Sequence, residues 1–330
     1  MNIEDAGKQV AESGRMLLDE GLTARTWGNI SCRVGGSMLI TPSGLGYESM
    51  TGADVVTVDL ESGKWSGSRK PSSEKGIHIA AYAAFPEAGF VIHTHQTYAS
   101  AISLAGFDAL SLSESERAAL GGIALAEYGL PGTKKLAGNV EKAFRTGAHT
   151  VLMAHHGAVI AGRDREESFR RARLLEDICR RSCRGLDGPV PPVDRELAGE
   201  IYAAVKLRFP HCGHSDAPEA LLAAATGWAI PAQLDDMAQM IGRFIPRAKP
   251  NRISVTRLLK KSDAVLVPGA GIYYRAGNEG DLHAVRMLAE KACVSFLHAR
   301  DCGADARLSA FDTALMRTVY LKKYSKKAAG

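Results

Sequence analysis

Two apolar runs of this chain each end in histidine, and that constrains its fold more than any other feature. Gly89-Phe90-Val91-Ile92 leads into His93-Thr94-His95, and Thr150-Val151-Leu152-Met153-Ala154 leads into His155-His156. Runs of this length and composition read as strands. Side chains two apart on a strand share a face, so His93 and His95 can reach a common point. A carboxylate, Glu74, closes the run Pro71-Ser72-Ser73-Glu74. Glu74, His93, His95 and His156 together supply three imidazoles and one carboxylate. That is the donor set of a tetrahedral zinc site with an exchangeable position. A chain that used it would have to bring two distant strand ends side by side.

The remaining pattern predicts an α/β chain. Apolar positions at Val10, Leu17 and Leu18 predict a helix over 3–20, ended by Gly21. Asn29–Val34 and Met38–Ile40 flank Gly35-Gly36 as a hairpin. Val55–Val58 reads as a strand and Ser73–Ala84 as a helix with Ser73 as its N-cap. A strand at 89–94, helices at 97–105 and 133–145, strands at 150–154 and 158–161, and a helix from Asp164 to about Cys183 follow. Hairpins mixed with helix–strand alternation imply a mixed sheet between helices. The run Gly185–Pro192 breaks all periodicity and reads as a linker. It separates a first domain, 1–188, from a second, 189–330. Residues 150–179 fall on 264–293 without a gap. Val151-Leu152 meets Val265-Leu266, Gly157 meets Gly271, Glu176 meets Glu290, and Cys179 meets Cys293. This predicts a diverged partial repeat in the second domain. There His155-His156 has become Gly269-Ala270, so the second domain lacks the ligand and serves as scaffold.

Composition excludes several classes. The 330 residues are 45% hydrophobic with a formal charge of +5, enough for a sizeable core and too little clustered charge for a nucleic-acid partner. The basic end, Lys322, Lys323, Lys326 and Lys327, reads as a solvated tail. No apolar stretch approaches the roughly 20 residues that span a bilayer. Met1-Asn2-Ile3-Glu4-Asp5 lacks signal-peptide character, so a cytoplasmic location is expected. The six cysteines are expected to be reduced there. Cys179 and Cys183 share a helix face but lack two further ligands. His211-Cys212-Gly213-His214 reads as a polar loop rather than a metal site.

Three polar loops accompany the ligand set: Gly28-Asn29, Thr41-Pro42-Ser43-Gly44 and Ser72-Ser73. Glycine amides, hydroxyls and a helix start make an anion pocket, to which Arg69 and Lys70 can add charge.

Gly28-Asn29-Ile30-Ser31, Thr41-Pro42-Ser43-Gly44, Pro71-Ser72-Ser73-Glu74, His93-Thr94-His95 and His155-His156-Gly157 stand in order and spacing as in the class II aldolase/adducin family. The resemblance covers about 5–183 and is closest to the L-fuculose-phosphate aldolases. It implies a mixed sheet between helix layers and a divalent metal, zinc in most members, with manganese as the alternative. Carried over by motif, Glu74 is the catalytic acid/base and a metal ligand. His93, His95 and His156 are ligands. Gly28, Asn29, Ser43, Gly44, Ser72 and Ser73 hold the substrate phosphate. The ligand aligns with His156, leaving His155 structural and His78 a packing or supporting group. The activity implied is aldol cleavage of a phosphorylated ketose through a metal-stabilised enediolate. A decarboxylase of a hydroxy- or oxo-acid is the first alternative, and a non-catalytic adducin-like binding protein the second. The 4-epimerases of the superfamily resemble this chain with Asp at position 74. The partners implied are a small sugar phosphate or related acid and further copies of the chain in a homo-oligomer.

The second half, around Val267–Tyr273 and Tyr320–Tyr324, is similar to the latter part of the aldolase portion of bifunctional rhamnulose-phosphate aldolase/alcohol dehydrogenases. With no Gly-x-Gly-x-x-Gly run, redox activity is not expected. One departure stands out. The fuculose-phosphate aldolases carry a proton-donating tyrosine where this chain has Ser113-Glu114-Ser115-Glu116. A glutamate there, Tyr128, or a tyrosine of the tail is left to supply the second proton.

Overall fold

The first helix shows how local chemistry sets the frame. Asn2 accepts from the Asp5 amide at 2.8 Å and so caps α1 (Ile3–Asp19). Ala6, Val10 and Leu17 fall on one buried face. The computed structural model describes residues 2–107 and 110–323. Tyr324, Lys326 and Lys327 lie outside the described residues. Two compact units make up the chain, Met1–Ser182 and Cys183–Gly330.

In the first unit α1 is followed by β1 (Asn29–Val34), β2 (Ser37–Ile40), β3 (Val56–Asp59), α2 (Lys75–Ala84), β4 (Phe90–Thr94) and α3 (Thr97–Ile102). Then come α4 (Glu114–Ala119), β5 (Ile123–Ala126), α5 (Lys134–Phe144), β6 (Thr150–Met153), β7 (Ala158–Gly162) and α6 (Arg165–Ser182). The strands form one seven-stranded sheet in the order β3-β2-β1-β4-β7-β6-β5. Every neighbouring pair is antiparallel except β5 and β6, so the sheet is mixed.

Both sheet faces are apolar because helices cover both. Met38, Ile40, Val91, Val151, Met153 and Val159 pack with Ile77 and Ala81 of α2 and with Leu136, Val140 and Phe144 of α5. The alternate residues Ile30, Leu39, Phe90, Ile92, Leu152 and Ile160 are also buried, and α1, α3 and α6 contact the sheet or one another in this unit. This places β4 at the centre of the sheet, with β1 on one side and β7 on the other.

Two local details differ from the sequence reading. The N-cap of α2 is Glu74, not Ser73. The Ser72 hydroxyl accepts from the Glu74 amide at 3.2 Å, so the turn forms one residue earlier and the helix starts one residue later. Strand β5 and helix α4 had no clear sequence signal. β5 is only four residues long, and α4 is set by the Ser113/Glu116 capping box.

The second unit runs α7 (Arg195–Lys206), β8 (Cys212–Ser215), α8 (Pro218–Ala225), β9 (Ile230–Pro231), α9 (Asp235–Met240) and β10 (Phe244–Ile245). It continues with α10 (Arg252–Leu259), β11 (Ala264–Val267), β12 (Gly271–Arg275), α11 (Glu279–Asp301) and α12 (Ala310–Lys323). Its core joins Ile201 and Val205 of α7 with Val255 and Leu259 of α10 over Val265, Val267 and Tyr273. His211–His214, read as a loop, is mostly strand: Cys212–Ser215 pairs antiparallel with β12. Ladder hydrogen bonding overrode the turn-like composition. His211 turns to Glu279 at 3.2 Å, while His214 stacks on Tyr273 and bonds the Ala270 carbonyl, so the two rings have separate partners.

The registers of the two units coincide. Leu152 pairs with Ala158 as Leu266 pairs with Ile272, and Val151 with Val159 as Val265 with Tyr273. His93 pairs with Val159 as His214 pairs with Tyr273. The turn between the two strands carries a positive φ at the same place, His155 at 65° and Gly269 at 74°. The three-stranded sheet β11-β12-β8 stops where β1 would follow in the first unit.

Candidate active site

Each ligand-type residue is positioned by an element boundary. His93 is the penultimate residue of β4, opposite Asn29 on one side and Val159 on the other. Beyond it the chain is pinned: the His95 amide donates to the Leu22 carbonyl at 2.9 Å. The next residue, Gln96, is fully buried and donates to the Ala172 carbonyl at 2.7 Å. Glu176 of α6 then accepts from the Tyr98 and Ala99 amides, each at 2.9 Å, at the start of α3. His156 sits in the β6–β7 turn, whose carbonyl accepts from Ser100 at 3.1 Å. Gly157 follows because a Cβ there would run into the Thr94 carbonyl oxygen. Strand ends and turn are thereby packed backbone to backbone.

The result is a convergence of ring nitrogens. His95 Nε2 lies 3.0 Å and His156 Nε2 3.1 Å from His93 Nε2. Glu74 Oε2 is 3.3 Å from His93 Nε2, and Glu74 Oε1 is 3.4 Å from His156 Nε2. All four side chains are buried. His93 Nδ1 donates to the Ala158 carbonyl at 2.9 Å, which leaves Nε2 as the nitrogen facing the cluster. That nitrogen meets two imidazole nitrogens and a carboxylate oxygen at close range. A cation at their centre satisfies all of them, so the donor set fits a divalent metal. Burial alone would raise the Glu74 pKa. The imidazoles of His93, His156 and His95 outweigh it and hold the carboxyl below the ordinary range.

His155 is turned away from this cluster, with its ring edge-to-face on Tyr128 at 5.4 Å between centroids. The residues of the three polar loops are tied to one another and to Glu74 and His93. Pro42 and Pro71 form an antiparallel bridge. The Ser43 amide donates to Lys70 at 2.9 Å and the Ser72 amide to Thr41 at 3.0 Å. Tyr47 donates to the Gly28 carbonyl at 2.7 Å. Gly28 has φ of +78° and backs onto the His93 carbonyl, so no side chain fits there. Ser43, Gly44 and Ser72 are half-buried and Ser73 is exposed. The Asn29 side chain donates to Glu74 Oε2 at 3.0 Å.

Other sequence-marked groups have surroundings of their own. Arg69 pairs with Asp54 at 2.8 Å. Glu116 is held in its capping box and paired with Arg181. Tyr320 is buried on α12 of the second unit. Sequence reasoning passed over Tyr47, Ser31 and Tyr82. Glu74, His78 and Tyr82 are spaced i, i+4, i+8 around α2, a polar stripe on an otherwise apolar helix that was open to notice.

A metal-capable histidine cluster on a mixed sheet, beside a carboxylate at a helix start, defines a divalent-metal enzyme of the class II aldolase/epimerase type. The chain belongs to the class II aldolase and adducin N-terminal domain family, whose model matches residues 8–183. It is 31% identical over 213 residues to the L-ribulose-5-phosphate 4-epimerase UlaF of Salmonella paratyphi B, covering 59% of this chain and 92% of that one. It is 32% identical over 183 residues to a 5-methylthioribulose-1-phosphate/5-deoxyribulose-1-phosphate aldolase of Rhodospirillum rubrum, covering 55% and 82%. Among solved structures, YgbL of Escherichia coli, described as a candidate aldolase/epimerase/decarboxylase, shares the fold. Its TM-score is 0.50 at 24% identity, over 54% of this chain and 88% of that one. No helix among the described residues is long and apolar enough to cross a membrane.

Proposed function

We propose that the protein is a lyase that cleaves a phosphorylated ketose by a retro-aldol reaction. The observation that carries this reading is the Glu74 carboxylate. One oxygen is held by Asn29, and the other, Oε1, has no hydrogen-bond partner while facing the histidine cluster. That is the arrangement of a group that gives and takes a proton. The proposed ligands are His93, His95 and His156, with Glu74 at the same point. The metal, zinc on the nature of the donors, supplies Lewis-acid withdrawal of electron density from the ketose carbonyl when bound. In cleavage, Glu74 Oε1 takes the proton of the hydroxyl on the departing carbon, which becomes the aldehyde carbonyl. The carbon–carbon bond pair passes to the carbonyl side, and Glu74 Oε1 returns a proton to that carbon. The loops of Gly28, Asn29, Ser43, Gly44, Ser72 and Ser73 are proposed to hold the phosphate.

Residues 1–188 are proposed as the catalytic domain and 189–330 as a diverged copy serving as scaffold, with Ala270 where His156 stands. The enzyme is proposed to act in the cytoplasm, with all six cysteines unpaired, and as a homo-oligomer. Light scattering of the purified protein tests the assembly.

The similarity to a 4-epimerase favours a second reading, in which the cleaved fragments recombine before release. A screen of ketose phosphates separates the two. Released aldehyde with a triose or similar phosphate supports the lyase. An epimeric ketose phosphate without free aldehyde supports the epimerase. Carbon dioxide from a hydroxy- or oxo-acid would displace both.

A further inference from the structure

Behind Glu74 runs a buried polar chain that the proposed mechanism does not use. Glu74 Oε2 accepts from Asn29 Nδ2 at 3.0 Å. Asn29 Oδ1 meets His78 Nε2. His78 Nδ1 lies 2.7 Å from Ser31 Oγ, and Ser31 Oγ lies 2.9 Å from the Tyr82 hydroxyl. Ser31 and His78 are fully buried, and Asn29 and Tyr82 nearly so. The Arg33 guanidinium lies over the Tyr82 ring, 4.7 Å from its centroid, closing the far end.

Only one proton order satisfies this chain. A carboxylate only accepts, so Asn29 must present its NH2 to Glu74 and its oxygen to His78. His78 Nε2 must then carry the hydrogen, and Nδ1 must accept. Ser31 donates to Nδ1 and in turn accepts from Tyr82. Burial holds the His78 imidazole in its neutral form, with its pKa lowered to about 3, which this order requires. The spacing that builds it is simple: Asn29 and Ser31 share one face of β1, and Glu74, the N-cap of α2, shares one face with His78 and Tyr82 along the helix.

We infer that His78 is a positioning residue: with Ser31 and Tyr82 behind it, it fixes the orientation of the Asn29 amide, which locks Glu74 Oε2 and reserves Oε1 for proton transfer. This rests on the reading of Glu74 as the acid/base. Without the Nε2 donor, nothing obliges the Asn29 amide to keep its NH2 toward the carboxylate. A half-turn of the amide would set oxygen against oxygen and swing Glu74 off its place. His78→Gln preserves one donor and one acceptor; His78→Met preserves only bulk.

The test has two arms on the full chain. In the metal-free protein, the Asn29 side-chain amide pair is identified by NMR through its loss in Asn29→Asp. It should move in Glu74→Gln, move or broaden in His78→Met, and return near its wild-type position in His78→Gln. In the zinc-loaded protein with its ketose phosphate, His78→Met should lower kcat by about 10- to 100-fold, the scale of lost supporting hydrogen bonds, with KM little changed. His78→Gln should recover most of it. An Asn29 signal unmoved in a folded His78→Met would overturn the inference, as would equal kcat losses in Met and Gln. The NMR arm needs no substrate, so a failure of the lyase reading leaves it decidable.

Discussion

His93 Nε2 and His156 Nε2 lie 3.1 Å apart although 63 positions separate them in the chain. The contact exists because β4 and β7 are neighbours in the sheet and Gly157 lets the turn press on the end of β4. His93 spends its other nitrogen on the Ala158 carbonyl, so the facing nitrogen is available to a cation.

Metal content should follow this geometry. His156→Ala is expected to lose tight zinc binding, and His155→Ala to keep it. His155→Gly should also keep it and lose no stability, because the turn needs the positive φ that glycine adopts freely. Elemental analysis and thermal melts with and without chelator check this. Zinc at 100 times its Kd should add about 2.7 kcal/mol to wild type. Equal metal loss in the two alanine variants would assign the wrong ring.

Glu74→Gln keeps size and the contact from Asn29 while removing the acid/base. Zinc is expected to remain, and turnover to fall by on the order of a hundredfold or more. Steady-state rates on the best ketose phosphate, beside metal assays, give the answer. A near-normal rate would move proton transfer to another group, with Tyr128→Phe the next variant to measure.

Acid sensitivity should trace to His78. Burial lowers its folded pKa to about 3 from the ordinary 6.5. Between those values the unfolded chain binds a proton that the folded chain refuses, so stability falls as pH drops below about 6.5 and levels off near 3. At pH 4 the loss from this group alone is roughly 3 kcal/mol. Denaturant melts of the metal-free protein at pH 7 and pH 4 should show a smaller difference in His78→Gln than in wild type.

Gly157→Ala should separate the strand ends. Its methyl group meets the Thr94 carbonyl oxygen, backbone that has little room to give. A destabilisation of about 1–3 kcal/mol is expected, with weakened zinc binding. Chemical denaturation and a zinc competition assay measure the two effects. Stability loss with full zinc affinity would show that the ligands tolerate the shift.

Zinc stoichiometry should be one per chain. The second unit places His214 opposite Tyr273, where the first has His93 opposite Val159. His214 is bonded to the Ala270 carbonyl, and on the proposed repeat Ala270 takes the place of His156. Titration with a chromophoric chelator should show a single tight equivalent, unchanged in His214→Ala. Two equivalents would mean a site in the second unit.

The sequence by itself determined most element types of the first unit, β5 and α4 excepted, and the identity of the clustered groups. Strand-length apolar runs, the Gly35-Gly36 turn and the His-x-His spacing are local signals, and local sterics and periodicity are enough to read them. It did not determine the cap of α2, where Ser72 rather than Ser73 bonds the Glu74 amide. It also misread β8, whose strand form comes from pairing with β12. The sheet order, the opposition of His93 to both Asn29 and Val159, and the chain from Glu74 through Asn29 and His78 to Tyr82 were decided only by tertiary structure. These contacts join residues far apart in sequence. They exist because burying both faces of one sheet leaves a single register in which the apolar side chains point inward and the buried polar groups find partners.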